Sequence, residues 1–365
     1  MHPASLRLEH WPSVVGHISS VIDLDASARA HKALLRRRGV RSAADLVHLA
    51  LLYGPGGLSL RAVASHATEA GLADLCDVSL LDRLRNAGDF LADVLDQLLA
   101  ASRGAPQMAA LGAGPTIEPL RLGLVDGSTV SVCGSDGSDW RLHARYEPAR
   151  GRFTDLTITE ADTAEALQCI AVGPGDVLVA DRGYARVRNF AHARANGADF
   201  ITRIGWRSLR LFDAAGERFD LIGALSDDGP AVVEHAVRIG AGRAAVPARL
   251  VIARKPPEAT TRQLNRQQRR ASRQGTRTDP RTLRAAGFMM VLTSLGAEQA
   301  TAAEVIRLYR LRWQVEIAFK RLKSLGAFAA LRASDPRLAR SWLLAHLIAA
   351  VLIETSLCED LDSPP

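Results

Sequence analysis

Ala43 to Tyr53 repeats apolar residues at helical spacing and stops at Gly54-Pro55-Gly56-Gly57, a strong breaker. Ser59 is placed to cap a helix from Leu60 to Ala70 ending at Gly71, and Ser79 with Asp82 opens a longer one towards Ala101. Residues 1–105 are therefore predicted to be all helical, and the Gly/Pro-bearing stretch 106–119 to be a linker. From Leu120 the period changes. Leu120–Cys133, Trp140–Tyr146 and Phe153–Thr159 alternate as strands do, the last two joined by a turn around Gly151. Then come a predicted helix at Asp162–Ile170, a buried strand at Asp176–Ala180, a helix at Arg186–Asn196 and a strand at Asp199–Ile204. Short β segments fill Trp206–Lys255, and Phe288–Leu295 reads as a further strand. Helices are predicted over Leu308–Lys323, preceded by a cap at or near Thr301, and over Leu338–Leu357.

Three antiparallel strands followed by helix, strand, helix, strand is the order of a ribonuclease-H-like core. The predicted class is α/β: a ribonuclease-H-like catalytic core with a β-rich insertion, preceded by an all-helical N-terminal domain. Its segments are predicted to be a helical domain at 1–105, the linker at 106–119 and the first part of the core at 120–204. A β-rich and Arg-rich insertion at 205–287 and core completion with the catalytic and C-terminal helices at 288–365 follow.

Charge sharpens this picture because of where it lies. The chain carries a net +7, yet Arg254–Arg284 alone holds nine arginines and Lys255 against Glu258 and Asp279, so the whole positive excess sits there. A polyanion partner is one reading of that segment, a solvated loop the other. Arg266, Arg269, Arg270 and Arg273 are its densest cluster. A helix pair opening near Arg83 and Arg85, with Arg36, Arg37, Arg38 and Arg41 close in sequence, offers a second place for DNA; a plain helical bundle reads the same way. Cys76, Cys133, Cys169 and Cys358 are scattered without a CxxC pair, which argues against disulfides and structural zinc and for a reducing cytoplasm. The longest apolar run, Trp342–Ile353, is interrupted by His346 and reads as a buried helix rather than a membrane span, and the N-terminus lacks a signal-peptide core.

Candidate chemistry centres on Leu308–Lys323. At roughly 100° per residue, Tyr309, Arg312, Glu316, Lys320 and Lys323 fall within about an 80° sector of one helix, beside an apolar stripe of Leu308, Leu311, Val315, Phe319 and Leu322. The plain reading is a solvated face with i,i+4 pairs worth about 0.3–0.5 kcal/mol each. Against it, the chain has four lysines to forty-two arginines, and two of the four lie here, where a compact charge suits phosphate. Asp126 interrupts an apolar strand and Asp181 ends another; each could equally be a turn residue, and Asp136 and Asp139 are competing carboxylates. With Glu316 the two aspartates would make an oxygen-only donor set suited to Mg²⁺. No Walker loop, GxSxG, HExxH or dinucleotide fingerprint competes.

Tyr309-x2-Arg312-x3-Glu316-x6-Lys323 resembles the Tyr-Arg-Glu-Lys motif of bacterial insertion-sequence DDE transposases of the IS-four type. VDGST around Asp126 and ADRGY around Asp181 resemble that family's two aspartate motifs, and the likeness runs from Arg83 to the closing helix. The resemblance implies catalytic Asp126, Asp181 and Glu316 holding two Mg²⁺ ions, with Mn²⁺ able to substitute. It implies phosphate contacts from Tyr309, Arg312 and Lys323, to which position on the same face adds Lys320. It further implies double-stranded DNA partners (transposon ends and target), a homodimer in a synaptic complex, no membrane, and a bacterial cytoplasmic, nucleoid-associated protein. Alternatives are an inactive or domesticated DNA-binding protein and a Mg²⁺ nuclease without strand transfer. Hairpin-forming relatives hold a flipped base with an aromatic near the strand before the motif helix, where this chain has Met289 and Met290, with Trp206 and Trp313 elsewhere.

Overall fold

A computed structural model describes residues 11–104, 121–131, 139–242, 245–326 and 331–362, excepting the side chains of 323–326 and 357–362. Helices α1 (Trp11–Val21), α2 (Leu24–Ala30), α3 (Ala43–Tyr53), α4 (Leu60–Glu69), α5 (Asp77–Arg85) and α6 (Gly88–Gly104) come first. Strands β1 (Arg121–Val130), β2 (Trp140–Glu147), β3 (Arg152–Glu160) and β4 (Asp176–Ala180) lead to α7 (Val187–Ala195) and β5 (Asp199–Ile204). Then follow β6 (Leu211–Phe212), β7 (Val232–Ile239), β8 (Val246–Arg254), α8 (Pro257–Arg273), α9 (Pro280–Ala286) and β9 (Phe288–Thr293). Helices α10 (Ala302–Arg310), α11 (Trp313–Gly326) and α12 (Pro336–Asp362) follow β9. The architecture is mixed α/β.

By its contacts the chain forms two compact units. One gathers Met1–Ala110, Gly127–Ala164 and Glu316–Pro365; the other gathers Leu111–Asp126 and Glu165–Val315. In the first unit α12 packs on α3, α5 and α6, and both α6 and α12 pack on the antiparallel β2–β3 hairpin. The cause is α12 itself: it is apolar on most of its circumference, and its stretch Pro336–Ser356, long enough to cross a membrane, is 78% buried inside the protein. Its N-terminal end is pinned by Arg85–Asp335 (3.1 Å), Arg340–Asp89 (2.6 Å) and a bond from Ser341 Oγ to the Leu84 carbonyl (2.6 Å). Gly88 fits this seam, because a Cβ there would lie 3.0 Å from the Arg340 guanidinium.

In the second unit the strand order is β1-β4-β5-β9-β8-β7-β6. The pairs β1–β4 and β4–β5 are parallel and the rest antiparallel, so α7 is the crossover of a β4-α7-β5 unit. Phe190 and Ala193 of α7 pack on Phe200 and Leu178 in one apolar cluster that continues through Leu250, Ile252 and Leu292. Strands β6 to β8 of the expected insertion thus extend the same sheet through β9 rather than stand apart.

Four local expectations are corrected. Ser79 does not open one long helix: α5 ends where Asn86 folds its Nδ2 back on the Asp82 carbonyl (2.9 Å), and α6 starts afresh at Gly88. Asp162–Ile170 is not a helix but a turn with a short 3-10 segment at Leu167–Cys169, because its backbone bonds are taken by a buried side chain: Leu167 N–H donates to Asn189 Oδ1 (3.2 Å). The Arg-rich stretch within the insertion is not a loop but helices α8 and α9. Finally, Leu308–Lys323 is two helices, not one. Thr301 does cap α10 with a reciprocal capping box to Glu304, but at Leu311–Arg312 the chain tightens to i,i+3 bonds (Leu311 N–H to Leu308, Arg312 N–H to Tyr309) before α11 begins.

Candidate active site

Register brings the two aspartates side by side. Val125 of β1 is level with Ala180 of β4 on parallel strands, and Asp126 and Asp181 are the next residues on each. Both are half-buried. Asp181 caps the 3-10 turn Arg182–Tyr184, its Oδ1 accepting from Gly183 N–H at 2.6 Å, so the plain turn role and a place at the strand end coexist. Asp139 is described at the head of β2, and Asp136 lies outside the described residues.

The motif residues arrive from α10 and the break after it. Thr301 and Glu304 fix the start of α10; burial of Val305, Ile306 and Leu308 fixes its face, each side chain contributing about 1.5–3 kcal/mol. That face also buries Tyr309, 7% exposed. Burial raises the Tyr309 pKa, opposed by the charges of Arg312 and Arg203 and a hydrogen bond from Arg312, while the charge of Asp181 pushes it up further. Arg312 Nη1 also stands 3.9 Å from Asp126 Oδ2. Asp126, Asp181, Tyr309 and Arg312 are therefore neighbours within the second unit, with Arg312 at the helix break. Glu316 lies in the first turn of α11 with its side chain exposed, and Lys320 is exposed one turn on. Lys323 is in α11, with its side chain outside the description. The buried stripe of α11 is the expected one, Val315, Phe319 and Leu322, joined by Ala318.

Two side chains that sequence reading missed adjoin the aspartates. Tyr184 is 1% exposed, its hydroxyl has no hydrogen-bond partner among the described residues, and its ionisation is opposed by burial and then by the charges of Glu165, Asp126 and Asp181. Glu165 sits so near Gly183 that a Cβ on that glycine would come within 1.6 Å of Glu165 Oε2 and 3.2 Å of Asp181 Oδ1. The one hint in the sequence was the glycine of DRGY. Among the described residues no three His, Cys, Asp or Glu side chains stand close enough to hold an ion as they are. The donor set is nonetheless all carboxylate, and it surrounds an orphaned phenol; both features suit a hard divalent cation with its waters.

A model of the Transposase DDE domain matches residues 118–352. The chain belongs to the DDE transposases. It is 42% identical to InsL of insertion sequence element IS186A from Escherichia coli K12 and to the transposase for insertion sequence element IS421 from E. coli, each alignment covering 98% of this chain and 96% of the relative. The IS-four type read from the Tyr-Arg-Glu-Lys motif stands with these relatives.

Elsewhere in the second unit, this transposase has a cavity of about 410 Å³ lined by Arg182, Arg203, Arg207, Lys255 and Arg270 and by no acid. Burial and then the charge of Arg203 lower the Lys255 pKa to about 8, and its Nζ donates to the Ala286 carbonyl at 2.9 Å. Trp206 is at the rim, but Arg207 and Arg281 lie over its ring at 4.4 and 4.6 Å and its Nε1–H donates to Thr282 Oγ1 at 3.1 Å, so the indole is a fixed structural piece. Trp313 is the contrasting case, 53% exposed. The arginines expected to contact DNA form a stripe on α8: Arg262, Arg266, Arg269, Arg270 and Arg273 are all exposed, within about a 100° sector at the helical period. Arg83 and Arg85 are engaged within the protein, Arg83 donating to the carbonyls of Arg36 and Arg38 and Arg85 paired with Asp335.

Proposed function

We propose that Asp126, Asp181 and Glu316 are the catalytic and metal-holding acids with which this transposase, a DNA-cleaving and strand-transferring enzyme of its family, cuts the ends of its element and joins them to target DNA. Support comes from the in-register pair Asp126–Asp181 with Arg312 and Tyr309 laid against it; Glu316 joins the set through the motif it shares with them. The family works with divalent metal, and Mg²⁺, with Mn²⁺ substituting, is the ion this oxygen-only set suits. When bound, two such ions activate the attacking oxygen and stabilise the leaving one.

The chain's own residues bind and orient. Arg312 presents a planar fork that moves between the Asp126 carboxylate and a phosphate. Tyr309, kept protonated by burial, is a neutral hydrogen-bonding group for the scissile strand. Lys320 and Lys323 add positive charge for the phosphate backbone, and Arg266, Arg269, Arg270 and Arg273 of α8 hold flanking duplex. The ribonuclease-H-like core, terminal inverted repeats as the bound sequence, a homodimer in the synaptic complex and a cytoplasmic, nucleoid-associated location belong to the same reading. So do the helical segment 1–105 as an end-binding part and 205–287 as an insertion.

The test is end cleavage by Asp126→Asn and Asp181→Asn, with end binding measured beside it. A loss of roughly a thousandfold or more, about 4 kcal/mol of barrier, with binding kept within a few-fold is expected. Cleavage near the wild-type rate in either variant would contradict the assignment.

A further inference from the structure

Three observations in the second unit remain unused by the reading above, and they meet at one place. Gly183 has no positive φ to explain it, yet Glu165 Oε2 occupies the position of a Cβ, so any side chain there would push that carboxylate aside. The Tyr184 hydroxyl is buried without a partner among the described residues, amid the charges of Glu165, Asp126 and Asp181. Asn189, fully buried, spans two turns: its Oδ1 accepts from Leu167 N–H (3.2 Å), and its Nδ2 donates to the Tyr184 carbonyl (2.9 Å) and to the Glu165 carbonyl (3.5 Å). One side chain thus ties the Glu165 turn to the Asp181 turn and holds their carboxylates together.

A buried phenol with an unmet O–H costs on the order of 1–3 kcal/mol, and one set among carboxylates can meet it only with an oxygen that enters from outside. A structure that maintains this arrangement through a dedicated clamp and a dedicated glycine is built to take in a cation and an oxygen. We propose that Glu165 is a further acid of the divalent-ion site, acting with Asp181 and Asp126. Asn189 is its positioning residue, and the Tyr184 hydroxyl is a donor to an oxygen that enters with the ion. This rests on the metal-holding reading of the aspartates and extends it: the acids of one compact unit, which do not stand as a ready cage, close on the ion before DNA arrives.

The test is uptake of Mn²⁺ by the full-length protein without DNA, read by calorimetry and by the electron paramagnetic resonance of unbound Mn²⁺, with circular dichroism verifying the fold. Wild type is expected to take up Mn²⁺ saturably, Glu165→Gln to bind at least tenfold more weakly, and Asp126→Asn likewise. Gly183→Ala keeps every carboxylate but displaces that of Glu165, a flexible side-chain end, and is expected to lose affinity too. If Glu165→Gln does not fold, Gly183→Ala decides by the same criterion. Wild-type affinity in Glu165→Gln with a loss in Asp126→Asn overturns the proposal and leaves the metal-holding aspartates standing. Unchanged affinity in all variants, or no saturable uptake by wild type, overturns both.

Discussion

Helix α8 and the α10–α11 segment are both short, basic stretches of the same transposase, and they are held in place in opposite ways. Helix α8 buries none of its residues; its inward stripe is Thr260, Gln263, Leu264, Gln267 and Ala271, all half-buried, and its outward stripe is arginine. Helix α10 is locked by a capping box and a buried apolar face, and the break after it carries the guanidinium that stands beside Asp126. The first arrangement fixes charge to within the width of a helix, which is enough for attraction to duplex DNA over a Debye length of about 8–10 Å. The second fixes atoms, which in-line displacement at phosphorus demands.

The largest effect that would break this contrast is in the motif. Arg312→Ala removes the partner of Asp126 and the hydrogen bond to Tyr309 together, and end cleavage is expected to fall about a hundredfold or more, some 3 kcal/mol, while DNA binding drops only a few-fold. An equal loss in binding and cleavage would place Arg312 with the α8 arginines instead. Next comes replacement of Arg266, Arg269, Arg270 and Arg273 by Gln. Nothing is buried there, so unfolding should be unchanged, while the slope of log affinity against log salt becomes shallower by up to about 3–4. An unchanged slope would return the helix to a solvated surface without a partner.

A smaller effect sharpens the contrast from the first unit, where charge is buried without any such task. Burial raises the Glu354 pKa to about 7, opposed by the Phe153 N–H it accepts, whereas burial lowers His48, His143 and His346 to about 4. The signs are opposite. Between pH 4.5 and 7 the folded state keeps a proton on Glu354 that the unfolded state has lost, so that group stabilises as pH falls. The histidines lose their contribution as pH falls from 6.5 towards 4. Glu354→Gln should therefore steepen the loss of stability on acidification by up to about 1.4 kcal/mol per pH unit, measured by urea unfolding. A shallower loss would contradict the burial of this carboxyl.

What the sequence made legible follows the range of the forces involved. Helix α3 and strands β4 and β5 match their predicted bounds, because caps, breakers and apolar runs are local. The break at Leu311–Arg312 carries no Gly or Pro, so periodicity ran straight through it. The turn at 162–170 is decided by Asn189, a side chain outside the stretch altogether, and the same distance hid Glu165 from any reading of the aspartate motifs. The aspartates themselves were legible because an acid in an apolar strand is conspicuous; their adjacency needed the β1–β4 register.

Glu316 is the acid assigned by motif alone, so it tests the central claim most directly. Glu316→Gln keeps the size of an exposed residue on α11 and removes only its charge. The measurement is end cleavage by this variant against wild type in saturating Mg²⁺, on DNA that both bind. The account predicts cleavage lost by about a thousandfold with binding intact; cleavage at the wild-type rate would contradict it.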